Sequence, residues 1–209
     1  MAVTGMIMIA FLLLHMLGNL KIFFGRKDYD HYSEWLRTIG NPVLHNVWFL
    51  WILRAVLVVS LVLHVTSAAQ LAQRARQSRP VSYDHGQRLK ARYAPNTMRW
   101  GGAFLLVFLV WHLLDLSAGV VNPDFHQGAP YHNVTKDFQT WWMNLIYIVA
   151  MVLLGMHINH GFRSATETLG FGQNAARRRT IERTGTALAL IISLGFIVVP
   201  AAVMGGLVR

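Results

Sequence analysis

Apolar residues run through this chain in five long blocks separated by polar stretches. The blocks are Met1–Phe24, about Val43–Gln73 (with its apolar run at Val47–Val65), Met98–Val121, about Trp141–Phe162 and about Thr184–Val208. Each carries the roughly 20 apolar residues needed to cross a hydrocarbon core of about 30 Å. A spanning segment must satisfy its own backbone hydrogen bonds, which leaves helices or a closed barrel. Barrel strands would alternate over about 10 residues, and these runs are continuous, so helices are expected. The pattern predicts an all-α membrane protein: one integral-membrane domain over residues 1–209, with five transmembrane helices in a bundle. The first block is too long for a signal-peptide core and lacks a small-residue cleavage site, so it is read as a span.

Charge sets the orientation. The second connecting segment holds Arg74, Arg76, Arg79, Arg88, Lys90, Arg92 and Arg99, and the fourth holds Arg163, Arg177, Arg178, Arg179 and Arg183. The first has only Arg26, Lys27 and Arg37, and the third only Lys136. Lys and Arg gather on the cytoplasmic side, so the N-terminus is expected inside and the C-terminus outside. The formal net charge of +10 is then a topology signal and gives no reason to expect nucleic acid. Trp48, Trp51, Trp100, Trp141 and Trp142 lie near span ends, where an aromatic belt meets the membrane interface. The segment from Arg74 to Thr97 is the largest polar surface and the natural dock for a partner.

Composition narrows the chemistry. The chain has 209 residues, of which 54% are hydrophobic and 13% charged, and it has no cysteine. Disulfides, thiolate metal sites and iron–sulfur clusters held by this chain are therefore excluded. Histidine remains as the strong metal ligand at membrane depth. His15, His64, His112 and His157 sit in four different apolar blocks. Counted inward from the cytoplasmic ends at 1.5 Å per residue, His64 lies about 14 Å deep, His157 about 9 Å, and His15 and His112 roughly 21 Å. Two levels about 10 Å apart result, each joining two different helices. A ring system sandwiched in a bundle needs that arrangement, and haem b is the obvious candidate. A proton or metal pathway and interhelical hydrogen bonding are the competing readings. Ser60, Ser67, Ala68, Gly18 and Gly161 lie one turn from these histidines and leave room for a flat macrocycle; small residues also suit plain helix packing. His160 shares a face with His157 and is either the ligand itself or a partner for a haem propionate. Arg54 and Asp115 are the other charges at depth. They either pair with each other, or Arg54 meets a propionate, since intramembrane charges rarely stand alone.

The ordered motifs resemble a known family. The first block reads AVTG and then HMLGNLKIFFG from His15, followed by YDHYSEWLR from Tyr29. The second has WILR, His64 and RPVSY ending at Tyr83; the third has MRWGG and FLVWHLLDL around His112; the fourth ends HINHGFRSATETLG from His157. In this order the chain resembles the dihaem cytochrome b membrane subunit of succinate:quinone oxidoreductases and fumarate reductases, of the single-anchor, five-helix type. Glu167, where Gln is expected, and Asp115, where many relatives are less acidic, depart from the pattern.

The resemblance implies two haem b groups, with His15 and His112 on a distal haem and His64 and His157 on a proximal one. It implies a flavoprotein partner carrying FAD, an iron–sulfur partner, and a bacterial plasma-membrane location. The chain itself would hold no catalytic residue. Electrons from succinate would reach a membrane quinone, and two haems in series suggest menaquinone. A higher oligomer of the complex is left open. Lys21, Asp28, Tyr29, His31, Tyr32 and Glu34 are the quinone-site candidates; a pocket near Tyr83, Arg92 and Trp100 on the other side is the alternative. Other functions considered are a cytochrome b subunit of a hydrogenase or formate dehydrogenase, and a histidine-bearing proton-coupled transporter. A transporter would be expected to show internal repeats and broken helices, and neither is evident.

The charge asymmetry yields a direct test. A reporter active only outside the cytoplasm, fused after Arg209, should be active, and a cytoplasm-only reporter there should be silent. The reverse result would overturn the topology.

Overall fold

The structure, a computed structural model, describes residues 1–78 and 88–209, with backbone alone over residues 88–97. Every regular element among the described residues is helical. In order they are α1 (Ala2–Leu20, continued by a 3-10 turn at Lys21–Phe24), α2 (Arg26–Thr38), α3 (Trp48–Gln77), α4 (Arg88–His112, continued by a π-helical turn at Leu113–Ser117), α5 (Pro130–Asp137), α6 (Trp141–Thr168) and α7 (Ala175–Met204). Five of these are long and apolar enough to cross a membrane: Ala2–Phe24, Trp48–Gln77, Met98–Ser117, Trp141–Thr168 and Ala175–Met204. The chain is a multi-pass, all-α membrane protein.

The helices do not end where the apolar blocks end. Apolarity marks the bilayer, whereas a helix stops only where caps or turns stop it. α3 starts at Trp48 instead of about Val43, because Gly40 at φ +98° and Pro42 hold the chain in turns. It then runs past Gln73 to Gln77. The third span ends at Ser117 rather than Val121; Gly119 at φ +68° turns the chain there, with the Phe125 ring lying where a side chain would point. α6 continues to Thr168, and α7 begins at Ala175 behind Asn174, whose side chain accepts from Arg177 N at 2.8 Å. That contact is a helix N-cap.

α2 and α5 lie in stretches that hydropathy alone reads as loops. α2 sets Tyr29, Tyr32 and Leu36 at helical spacing, with Asp28 in its first turn and Arg37 in its last, as the helix dipole favours. α5 opens on Pro130 at its first position and buries Tyr131, Val134 and Thr135. The two pack against each other, and the Tyr131 amide donates to Asp30 Oδ1 at 3.0 Å. They close one end of the bundle. The opposite end carries the N-terminus, the end of α3, the start of α4 and the arginine-rich α6–α7 connection.

Within the membrane the closely packed neighbours are α6 with α7, α4 with α6, and α1 with α3, α6 and α7. Small residues make the tightest seams. Gly155 faces Ser193, Gly185 faces Phe162 and Asn159, and Gly195 faces Met16. In lipid, close backbone approach and dispersion hold helices together, since tails and side chains are equally apolar. α3 instead exposes Val56, Val58, Val59, Val62 and Leu63, a lipid-facing surface. Neither α1–α4 nor α3–α6 is a closely packed pair.

A side chain at residue 155 would strike the Ser193 hydroxyl and crowd Ser193 Cβ at 3.3 Å, an atom fixed to the α7 backbone. Gly155→Leu should therefore cost about 1–3 kcal/mol by overpacking. Thermal unfolding in detergent should show it as a clear drop in midpoint; an unchanged midpoint would refute this packing.

Candidate haem-binding centre

The four membrane histidines fall into two facing pairs. The ring centres of His15 on α1 and His112 on α4 are 6.0 Å apart, and those of His64 on α3 and His157 on α6 are 6.3 Å apart. Each pair bridges two helices that are not close neighbours, so the rings meet across an internal gap. An iron bound to both imidazoles at the usual metal–nitrogen length of about 2 Å would set the ring centres about 6 Å apart. All four rings are half-buried, while His160 is exposed.

Three helices report the spacing between the levels independently. A side chain at Gly5 on α1 would touch the His64 ring, at 3.5 Å from Cε1, and His15 follows ten residues later. A side chain at Gly102 on α4 would meet His157 Cε1 at 3.4 Å, and His112 follows ten residues later. On α6, Tyr147 contacts His112 and His157 follows ten residues later. Ten helical residues rise about 15 Å. The separation is therefore larger than the 10 Å expected from span ends, which served as unequal starting points. On α3, Arg54 stands ten residues before His64, at the level of the His15–His112 pair.

The hydrogen bonds fix which ring nitrogen is free. The Thr4 hydroxyl donates to the Met1 carbonyl at 2.9 Å, and its oxygen lies 3.4 Å from His64 Nδ1. The Tyr147 hydroxyl donates to Asp115 Oδ2 at 2.8 Å, and its oxygen lies 3.2 Å from His112 Nδ1. Each hydroxyl has committed its only proton, so each Nδ1 must be the donor. Nε2 then carries the lone pair on both rings, the tautomer a metal-ligating histidine with a hydrogen-bonded second nitrogen adopts. His15 is held by aromatic rings, stacked on Phe11 at 5.3 Å and tilted against Phe196 at 5.6 Å. His157 Nδ1 is buried without a partner. A cavity of about 250 Å³ opens beside His157 and is lined by Trp100, Gly101, Met156 and His160. The donor set, the glycines and the orphaned nitrogen fit a flat, iron-bearing macrocycle at the His64–His157 level, and the facing imidazoles repeat the donor set at the His15–His112 level.

The other charges at depth take partners that were not anticipated. Asp115 is fully buried and receives the Tyr147 hydroxyl; it does not pair with Arg54. Arg54 is exposed, its guanidinium 5.0 Å from the centre of the Trp51 ring. The π-helical turn is what carries Asp115 inward, directly after His112. Such turns recur at functional sites. Tyr147 was missed at the sequence level because nothing links it to His112 before the chain folds.

The quinone candidates divide. Lys21, Tyr29 and Tyr32 gather where α2 folds back on α1: Lys21 Nζ lies 5.3 Å from the Tyr32 ring centre, Tyr32 covers Gly18, and the Tyr29 hydroxyl donates to Asn19 Oδ1 at 3.2 Å. Burial, reinforced by the Asp30 and Tyr32 charges, pushes the Tyr29 hydroxyl up to about 12. Asp28, His31 and Glu34 are exposed and do not join this group. For the alternative pocket, Tyr83 and the Arg92 side chain lie outside the described residues, and Trp100 lines the cavity beside His157.

The fold defines a multi-pass, all-α membrane protein. Residues 96–199 match the family model of the succinate dehydrogenase/fumarate reductase transmembrane subunit, and the chain belongs to that family. It is thus a membrane subunit of the succinate dehydrogenase/fumarate reductase complex. The match takes in His112 and His157, while His15 and His64 lie before it. No curated protein and no solved structure matched the chain.

Gly5 and Gly102 lie on different helices but back the same pair of rings. Gly5→Leu and Gly102→Leu should therefore both perturb the low-spin signal that a haem held by His64 and His157 would give, and spare that of one held by His15 and His112. The readout is electron paramagnetic resonance of the purified complex; perturbation of two different signals would contradict the geometry.

Proposed function

We propose that this chain is the dihaem anchor of a succinate:quinone oxidoreductase in a bacterial plasma membrane, with His64 and His157 holding the proximal haem b and His15 and His112 the distal one. The observation that carries this reading is the pair of imidazole gaps of 6.3 and 6.0 Å, each between helices that do not otherwise pack closely. Two haems held in this way would supply one-electron relays between a partner iron–sulfur subunit and a membrane quinone, with menaquinone favoured by the two relays in series. The family match sets aside the hydrogenase, formate dehydrogenase and transporter readings.

The chain's own residues hold and orient. Thr4 and Tyr147 fix the tautomers of His64 and His112, so their Nε2 atoms point lone pairs into the gaps. Phe11 and Phe196 keep water from the His15 ring. His160, on the cavity beside His157, and Arg54, at the level of His15 and His112, are assigned to haem propionates. Lys21, Tyr29 and Tyr32 form the quinone-facing group, close to the distal level through Gly18, which lies one turn beyond His15. The arginine-rich end faces the cytoplasm and receives the iron–sulfur subunit, which sits on the flavoprotein subunit that oxidises succinate on its FAD.

A pyridine haemochrome assay on the purified complex should give close to two haems per chain. His64→Ala and His157→Ala should each abolish one low-spin resonance signal, His15→Ala and His112→Ala the other, and His160→Ala neither. Loss of the same signal in His64→Ala and His15→Ala would show the pairing to be wrong.

A further inference from the structure

The bundle end closed by α2 and α5 contains a polar core that haem ligation does not account for. Asp115, from the π-helical turn, and Asp137, at the end of α5, are both buried on elements that pack against each other, each with a carboxyl oxygen that finds no partner, and the charge of Asp115 bears directly on Asp137. Among the described residues neither carboxylate has an ion pair. The Tyr147 hydroxyl serves Asp115 Oδ2, but Asp115 Oδ1 and Asp137 Oδ2 receive no donor from any described group.

Among the described residues the surroundings offer no positive charge. α6 presents Tyr147 and Asn144, and the Asn144 amide is spent on the Phe138 and Thr140 carbonyls. α7 contributes Val199, Ala202 and Val203 to this core. α2 contributes Tyr29, while its Asp30 is engaged by Arg26 and by the Tyr131 amide. On α5 itself, Tyr131 donates to the Arg209 carbonyl, and Lys136 is exposed with Gln139 as its partner. Asn122 is buried nearby in the α4–α5 connection, and its amide faces Asp115 as a neutral donor without making a hydrogen bond of ordinary length. His112 is reached through Tyr147. Two buried carboxyls in contact without a cation cannot both be ionised at neutral pH. A proton held on one of them supplies the donor that their free oxygens lack.

We propose that Asp115 and Asp137 hold one proton between them, and that this pair is coupled through Tyr147 to the imidazole of His112, so that an electron added at the His15–His112 site is matched by a proton kept or taken up at the carboxyl pair. The coupling rests on His112 as a haem ligand; the shared proton does not. The path is short: His112 Nδ1–H to the Tyr147 oxygen and the Tyr147 hydroxyl to Asp115, with Asp137 packed beside Asp115 on α5. Tyr147 keeps its proton throughout and transmits only polarisation. The proton comes from water at the α2–α5 end, where Asp137 borders the exposed Lys136 and Gln139. Each electron that arrives is balanced by one H⁺, and no bond to carbon forms or breaks. Asp115 and Asp137 are positioning residues in this scheme, acting on the site through Tyr147.

The sign follows from the ionisation of the pair. Burial, with the Asp115 charge beside it, pushes the Asp137 carboxyl up to about 8. Below that pH the pair keeps its proton whether or not the electron is present, so the potential of the distal site should be flat. Above it the oxidised protein has lost the proton and reduction must restore it, so the potential should fall as pH rises. The limiting slope is about 59 mV per tenfold change in proton concentration for one electron.

The test uses the intact complex in detergent, with redox titrations at a series of pH values. The signal lost in His112→Ala should show the break near pH 8, and Asp137→Asn should flatten its alkaline limb while leaving the other signal unchanged. Tyr147→Phe should weaken the slope yet retain the infrared band of a protonated carboxyl at pH 7, a band that Asp137→Asn should remove. An alkaline slope that survives both substitutions overturns the coupling; absence of that band from the native complex overturns the shared proton. If Asp137→Asn does not assemble, Tyr147→Phe and the native protein decide between these outcomes. Fewer than two haems by pyridine haemochrome, with the carboxyl band intact, would sink the ligand assignment and the coupling with it but keep the proton. Two haems with a pH-independent distal potential would sink the coupling alone.

Discussion

The fold depends on keeping two pairs of helices apart. A lone pair on an imidazole at membrane depth must be answered by a proton or a metal, because lipid offers neither. Here the four imidazoles are set as two facing pairs on α1–α4 and α3–α6, and neither helix pair packs closely. A bundle that leaves internal gaps has to gain its cohesion elsewhere. α6 and α7 supply much of it along the glycine and serine seam at Gly155, Ser193 and Gly185, and α1 joins them where Met16 covers Gly195. α7 carries no histidine and no charge between Thr184 and Met204, so it is free to be a packing element. α3, which holds His64, instead turns most of its valines and leucines to lipid.

The two levels are built with different polarity. His64 lies next to Thr4 and the start of the chain, and Gly5 and Gly102 leave its level open. The His15–His112 level is walled by Phe11, Phe108, Phe196 and Tyr147, and beyond it lies a buried set of polar side chains from four elements. Desolvation strengthens every electrostatic interaction in that second environment. A charge change at His112 is therefore felt further and more strongly there than one at His64.

Much of this was legible in the sequence, and the reasons are specific. Lipid imposes long apolar blocks, so the five spans could be read directly. The helical rise is fixed, so His15 with His112 and His64 with His157 could be matched by depth. The ends of helices were less legible, since hydropathy falls at the membrane interface while α3, α6 and α7 run on into polar sequence. The ten-residue spacing of the two levels was underestimated for the same reason. α2 and α5 were read as loops because their mean polarity hid the apolar positions Tyr29, Tyr32 and Leu36, and Tyr131 and Val134, although the helical spacing is present.

Asp115 shows what sequence could not supply. Read along the chain, it was an acid one turn beyond a histidine, and Arg54 was the only cation at matching depth. Two facts of folding changed its partner. The π-helical turn rotates residues 113–117 relative to a regular helix, which carries Asp115 into the bundle. α5 then brings Asp137 up against it, from a segment that hydropathy places outside the membrane altogether. A buried acid normally calls for a cation, and this one has a second acid and a tyrosine. That choice makes sense only if the proton is the counter-charge. A guanidinium would neutralise Asp115 permanently, whereas a shared proton can leave or return as the charge at His112 changes. The difference between an ion pair and a carboxyl pair is thus the difference between fixed and adjustable charge, and it reaches His112 through the single side chain of Tyr147.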